Sequence, residues 1–314
     1  MTDNSVLKPA NNREPLVSVL VPAYNHGKYI VECLESTKSL AHKRLELIVS
    51  DDCSRDDTFA LADQWAQRNA ARFERTVVTR QKQNVGVVGN LQFLFESAQG
   101  DYLVYIASDD VFVESSINDR LRVLEEDETL DAVLGDSQTI SDSGALLKER
   151  RAKRHVAKSL MSRKLLAAAL LKYWGSPGPS LMIRRRAVLK NGSLGYLPQD
   201  LSFEDRYIYI RLAALHKLCY VDSIVMRYRE VENSMSRCSG FSKIDSRCVL
   251  TSDRYNRRLL GIFERLYLDV LDAQIENRAK CSHRLSFRFR INALRVIGFL
   301  LWKVLAFRAL LSVR

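Results

Sequence analysis

No C-x-x-C pair occurs among the six cysteines (Cys33, Cys53, Cys219, Cys238, Cys248 and Cys281), and none stands at zinc-type spacing from the five histidines. These spacings argue against a disulfide framework and a structural zinc site, and reduced thiols are expected. Only 6 prolines and 13 glycines are spread over 314 residues, which excludes collagen-like and low-complexity chains. Long apolar runs are missing as well. In the apolar stretch 291–314 the longest segment between charges is Val296–Trp302, far short of the roughly 20 residues of a spanning helix. The opening residues, MTDNSVLKPANNREP, lack the basic-then-apolar pattern of a signal peptide, so a cytoplasmic location is expected.

What the chain does have is 46% apolar and 27% charged residues, as in soluble globular proteins. The net charge of +11 is unevenly placed. Residues 278–314 hold nine Lys/Arg and no acid, leaving only +2 for the rest. A second basic run, KERRAKRHVAKSLMSRK, covers 148–164. Uniform basicity would suit nucleic acid; a basic, apolar end on a near-neutral body suits an anionic membrane surface instead.

Along the chain, residues 1–15 read as a loose leader. Four β-branched apolar runs follow, at 16–21, 45–49, 76–79 and 102–106, alternating with helical patterns at 28–40, 58–73 and 87–98. This alternation predicts an α/β fold with a doubly wound, mostly parallel sheet. Further strand segments are expected at 131–134, 180–183, 219–221 and 224–228, a helix at 202–216, and a helical region from about 241 to the end. In such sheets ligands bind beyond the carboxyl ends of the strands. Four polar clusters fall there: Pro22–Gly27, Asp51–Asp57, Asn84–Asn90 and Ser108–Asp110. Each alone is also ordinary turn chemistry. The first of these turns has neither G-x-G-x-x-G nor G-x-x-x-x-G-K-[ST], which argues against a dinucleotide oxidoreductase and a P-loop NTPase. A nucleotide-shaped sheet without a glycine cradle points to a diphosphate held through carboxylates and Mg²⁺ or Mn²⁺.

VSVLVPAYN at 17–25, ELIVSDDCS at 46–54, NVG at 84–86 and DYLVYIASDD at 101–110 resemble, as an ordered set, family 2 glycosyltransferases. The resemblance covers roughly 16–236 and implies a GT-A fold: a domain over 16–240, with a nucleotide-binding half at 16–110 and an acceptor half at 111–240, then a helical basic C-terminal region at 241–314. It places Pro22, Ala23, Tyr24 and Asn25 around the nucleotide. Asp52 would accept from the base, Asp51 and Ser54 would shape the turn, and Asn84, Gly86 and Asn90 belong to the same donor side. Asp52 equally suits a helix cap. Ser108, Asp109 and Asp110 match the family's D-x-D region, with Asp109 as metal ligand and Asp110 in support. Ala107 stands where the family commonly has Asp, and Val231 stands for a His in the stretch RYREVENSMS at 227–236. Both departures fall on the diphosphate–metal side, where Arg229 and nearby basic groups could share the metal's work through the bidentate fork of Arg. Asp205 matches the family's general base and Glu204 its acceptor-side neighbour; first-turn acids also suit a helix dipole. The segment GSPGPS at 175–180 reads equally as an acceptor-side lining and as a plain loop.

The expected activity is transfer, with inversion, of a sugar from a nucleotide-diphosphate sugar, a UDP or dTDP sugar, to a glycan or lipid-linked acceptor hydroxyl. Mn²⁺ or Mg²⁺ is the expected cofactor. The tail, with Arg295, Lys303 and Arg314 on one helical arc and Phe299 and Trp302 as anchors, fits an interfacial helix on the inner face of the cell membrane, or a terminal helix packed on the body. The rivals are a sugar nucleotidyltransferase, whose G-x-G-T-R-like loop Pro22–Gly27 does not match, and a non-catalytic nucleotide-sugar-binding protein, motivated by Ala107 and Val231.

Overall fold

A computed structural model describes residues 14–152, 161–163, 166–172, 177–202, 204–231, 241–262, 264–269 and 271–272, with the backbone alone at 172 and 241–248. Most of the expected leader, the tail from 273 onward and residues 232–236 lie outside the described residues.

The four apolar runs form β1 (Val17–Ala23), β2 (Leu45–Asp51), β3 (Arg75–Arg80) and β4 (Tyr102–Tyr105), all parallel to their neighbours in the order β3-β2-β1-β4. Helices α1 (Ile30–Lys38), α2 (Thr58–Asn69) and α3 (Gly86–Ser97) connect them. β1 and β2 are buried on both faces, as near-continuous apolar strands of a parallel sheet must be. Their residues alternate: Leu20 and Ile48 pack with Leu91, Leu94 and Phe95 of α3, while Val19, Val21, Leu47 and Val49 pack with Ile30 and Leu34 of α1 and Trp65 of α2.

Beyond β4 the sheet becomes mixed. Its order continues through β8 (Leu181–Arg184), β6 (Ala132–Ser141), β9 (Leu218–Glu230) and β5 (Val111–Phe112), with β7 (Leu146–Lys148) paired to β6. β8 runs antiparallel to both β4 and β6, and β9 parallel to β6. The two segments expected at 219–221 and 224–228 are one strand, carried past the interruption by register shifts against β6 around Asp136. A helix not expected from sequence, α4 (Asn118–Glu126), follows β5. Its pattern is masked because it buries Arg120, whose guanidinium donates to Ser116 O at 2.8 Å, Ser116 Oγ at 2.6 Å and Ser180 O at 3.0 Å. Burial lowers that guanidinium's pKa to about 9.

β1 and β2 run two residues further than expected, through Pro22 and Asp51. The missing N–H of Pro22 costs no ladder bond, because β4 pairs with β1 only as far as Leu20. At the chain's far end the helix Phe241–Asn256 seats on the helix Asp205–Ala214. Arg206 and Asp253, both buried, pair there through two bonds of 3.0 and 2.9 Å.

The opposite edge of the parallel strands is tied by a buried polar knot. Glu46 accepts from Ser18 Oγ, from Arg75 and from Gln99 N (2.9 Å), and Gly100 N donates to Ser18 Oγ at 2.9 Å. A Cβ on Gly100 would stand 2.7 Å from Ser18 N and 2.8 Å from Leu16 O, backbone atoms fixed by β1. Gly100→Ala is therefore expected to cost about 2–3 kcal/mol, lowering Tm by about 4–12 °C. Calorimetric melting checks this, and an unchanged Tm would show that the knot relaxes freely.

Candidate active site

All four polar clusters converge at the carboxyl ends of β1, β2, β3 and β4, and hydrogen bonds join them. Asn25, in the left-handed region at φ 53°, donates its N–H to Ser54 Oγ at 2.9 Å and accepts Arg55 N–H on Oδ1 at 2.8 Å. Asn is among the residues that enter this region at small cost. Cys53 at φ 63° occupies it too. His26 donates its N–H to Thr58 Oγ1 at 2.8 Å, and its Nδ1 lies 2.8 Å from Ser108 Oγ and 3.7 Å from Asp109 Oδ1. His26, given no role on sequence grounds, thus links the first cluster to the start of α2 and to the fourth cluster.

The acids at the strand ends are largely committed to backbone donors. Asp51 accepts Ser54 N–H at 3.0 Å and faces Arg80 Nε at 3.4 Å. Asp52 accepts Val85 N–H on one oxygen at 2.7 Å and Gly86 N–H on the other at 2.9 Å. It caps α3 from another strand, satisfying donors that a helix start leaves open. Burial raises its pKa, against the two N–H bonds that lower it. Asn90 is buried, its Nδ2 on Ser50 O at 2.8 Å, and so ties α3 to β2.

An open cavity of about 640 Å³ lies over these loops, lined by Tyr24, Ser54 and Asn84 from the expected set. Arg55, Arg80 and Lys82 line it too and make it cationic; sequence reasoning missed them. For Arg80 a signal existed: it ends β3, on the edge where the other clusters were sought, but the strand was expected to stop at Thr79. Arg80 donates to Ser54 O at 2.6 Å.

At the fourth cluster, Asp110 is buried and its Oδ1 accepts Arg229 N–H at 2.7 Å. Burial and the neighbouring Asp109 charge push its pKa well up. Arg229 also backs this turn. Its buried guanidinium donates to Asp109 O (2.8 Å), Ser141 O (3.3 Å), Asp142 O (3.0 Å) and Glu32 Oε2 (2.7 Å), and it lies 5.2 Å from the Tyr29 ring centroid. These bonds clamp the turn onto α1 and the β6–β7 hairpin. Asp109 keeps partial exposure beside His26. Among the described residues no three His, Cys, Asp or Glu side chains converge on a metal position. One carboxylate such as Asp109 fits a hard cation whose other ligands are phosphate oxygens and water.

Glu204 and Asp205 open the helix Asp205–Ala214. Tyr105, at the end of β4, donates to Glu204 Oε1 at 3.3 Å, which brings this helix start to the strand leading into Ser108–Asp110. Glu204 is buried, and burial raises its pKa. Gly178 makes room for the pair: a Cβ there would stand 2.6 Å from Tyr105 Oη and 2.7 Å from Glu204 Oε1. Tyr209 holds that backbone, donating to Pro177 O at 2.7 Å and Gly178 O at 3.1 Å. Half-buried Asp205 accepts Arg206 N–H at 2.7 Å.

Residues 18–192, more than half of the chain, match the model of glycosyl transferase family 2. Among curated proteins, the glycosyltransferase GlyG of Streptococcus pneumoniae is 30% identical over 128 residues, covering 41% of this chain and 41% of GlyG. Chondroitin synthase of Escherichia coli is 31% identical over 136 residues, covering 43% of this chain and 19% of that one. The match thus spans less than half the length of these relatives. Among solved structures, TarS 1–349 of S. aureus in complex with UDP-GlcNAc superposes with a TM-score of 0.57 at 19% identity, over 89% of this chain and 79% of that one. The mannosyltransferase PcManGT of Pyrobaculum calidifontis, in complex with GDP-Man and Mn²⁺, superposes with a TM-score of 0.54 at 16% identity, over 97% and 90%. These superpositions show the GT-A fold expected from the motifs.

Asp52→Ala should expose the Val85 and Gly86 amides, with a loss of about 1–2 kcal/mol. Hydrogen exchange at these two amides should accelerate while that of β1 stays unchanged. Unchanged protection would mean that Asp52 does not hold the loop.

Proposed function

Because this chain belongs to glycosyl transferase family 2, we propose that it moves a sugar from a nucleoside-diphosphate sugar, a UDP or dTDP sugar, to a hydroxyl of a glycan or lipid-linked acceptor, inverting the anomeric centre. One observation supports this above the others. Tyr105 on β4 links the Glu204–Asp205 helix start to the strand leading into Ser108–Asp110, on the edge that carries a cationic cavity at the ends of β1, β2 and β3. A donor-binding region and a carboxylate pair thus share one edge. TarS in complex with UDP-GlcNAc and PcManGT in complex with GDP-Man adopt the same fold, which supports a nucleotide-sugar donor.

In this reading the nucleoside lies against Tyr24, Ser54 and Asn84, and Arg55, Arg80 and Lys82 draw an anionic ligand to the cavity. Asp109 would hold Mn²⁺ or Mg²⁺, which when bound neutralises charge on the departing diphosphate. Asp205 takes the proton from the acceptor hydroxyl as its oxygen attacks C1. The C1–O bond to the diphosphate breaks on the opposite face, so the configuration inverts. Glu204, buried behind Asp205, lines the acceptor side. Ala107 and Val231 favour donor binding without transfer as the competing outcome.

Asp205→Asn keeps size and removes basicity. Turnover of a UDP-sugar, read as nucleoside diphosphate release, should fall at least about 10²-fold while UDP binding persists. Near-normal turnover would assign the base elsewhere, and pyrophosphate release by the wild type would mean a nucleotidyltransferase.

The acceptor side of the proposal includes an anionic membrane surface for the basic tail. Among the described residues no helix is long and apolar enough to cross a membrane. Basic residues at an anionic leaflet contribute about 1 kcal/mol each, screened by salt. Deleting residues 287–314 should release the protein from anionic vesicles at low salt and leave UDP-sugar hydrolysis intact. Full-length protein that does not co-sediment with such vesicles would end the membrane reading.

A further inference from the structure

From β1 the chain moves to β2 and β3 on one side and returns to β4 on the other, so the strand order reverses between β1 and β4. Doubly wound sheets bind ligands at such a point, beyond the carboxyl ends of the strands. His26 from the loop after β1 and Asp109 from the turn after β4 meet there. Asp51, Asp52 and Asp110 are buried, and their carboxylates accept backbone N–H groups. Asp109 differs. Its carbonyl oxygen takes the Arg229 Nε–H, and among the described residues its carboxylate faces His26 alone. The two side chains keep 31% and 14% exposure, which leaves both open to a ligand from solvent.

Their separation narrows what the pair can do. His26 Nδ1 stands 3.7 Å from Asp109 Oδ1, too far for a hydrogen bond. Two donors on one cation, each at roughly 2.1 Å, stand roughly 3–4 Å apart. Nδ1 also lies 2.8 Å from Ser108 Oγ, a hydroxyl that can rotate away. Both residues are anchored. The His26 N–H is held by Thr58 Oγ1, its carbonyl accepts Tyr29 N–H and Ile30 N–H at 2.9 Å, and the Tyr29 ring meets its ring edge-on at 6.0 Å. Asp109 sits in a turn closed by Asp110 N–H on Ala107 O at 3.0 Å. We propose that His26 Nδ1 joins Asp109 as a ligand of the divalent cation on the donor's diphosphate, and that this nitrogen favours Mn²⁺ over Mg²⁺. Mg²⁺ holds to oxygen ligands and water, whereas imidazole serves first-row transition ions. Phosphate oxygens and water fill the other positions. The proposal rests on the nucleotide-sugar reading above.

Pulsed electron paramagnetic resonance of Mn²⁺ bound to the full chain with UDP reads the nitrogen directly. The wild type should show coupling to a coordinated nitrogen, and ¹⁵N labelling of the histidines should change its pattern. H26Q should lose the coupling. Calorimetry should show its UDP complex binding Mn²⁺ about tenfold more weakly, with the affinity for Mg²⁺ changed by less than about threefold. H26D, which supplies oxygen in place of nitrogen, should recover Mn²⁺ affinity without the coupling. A wild-type Mn²⁺–UDP complex with no histidine nitrogen on the metal overturns this proposal alone, whether or not H26Q folds. So does a coupling that survives in H26Q, or an equal loss of Mn²⁺ and Mg²⁺ affinity. Weaker Mn²⁺ binding without any coupling would make His26 an orienter of Asp109 and overturn its ligation. A wild type that binds none of UDP, dTDP or GDP in Mn²⁺ overturns the donor reading together with it.

Discussion

Parallel strands that end together release loops in different directions, and each loop carries backbone N–H groups that the sheet no longer satisfies. Here buried carboxylates meet that demand. Asp51 takes Ser54 N–H, Asp52 takes Val85 and Gly86 N–H, and Asp110 takes Arg229 N–H. The last of these crosses 119 positions and fastens the turn after β4 to β9. The loops at this edge are thus fixed by the chain itself, which is how preorganised sites avoid an ordering cost.

That role explains both what sequence made visible and what it hid. The first four strands were legible because each is an apolar run buried on both faces, and the edge rule for doubly wound sheets then located all four clusters. The roles inside the clusters were less legible. Asp52 reads as a ligand contact or a local cap, yet it caps a helix 33 residues away. His26 looks incidental in one dimension because its partner, Ser108, lies 82 residues on. Arg229 carries the residue type of a phosphate ligand, and only its bonds to Glu32 and to the Asp109, Ser141 and Asp142 carbonyls reveal a clamp. α4 escaped notice because a buried arginine occupies a place where periodicity expects an apolar side chain.

Polar burial of this kind has a consequence for charge at the site. Asp51, Asp52 and Asp110 sit almost without solvent contact, so the cations of the cavity answer to buried negative charge as well as to any ligand. Arg80 shows it directly, shared between Asp51 and the Ser54 carbonyl. A cation already held by a buried acid is oriented before it meets an anion, but part of its field is spent.

The acids Glu204 and Asp205 show how one helix start separates two neighbouring carboxyls. Glu204 is buried under the Gly178 backbone with Tyr105 against it, and burial raises its pKa. Asp205 begins the helix, half-buried, where the aligned peptide dipoles favour negative charge. The environment is built from distant parts: Tyr105 from β4, Gly178 from the segment before β8, and Tyr209 one turn down the helix holding that segment in place. Gly178 carries the tightest requirement, since any side chain there would part Tyr105 from Glu204. A half-buried carboxylate beside a buried partner is therefore a product of how β4, β8 and this helix pack, which is why the acid pair was legible in sequence and the glycine that shapes it was not.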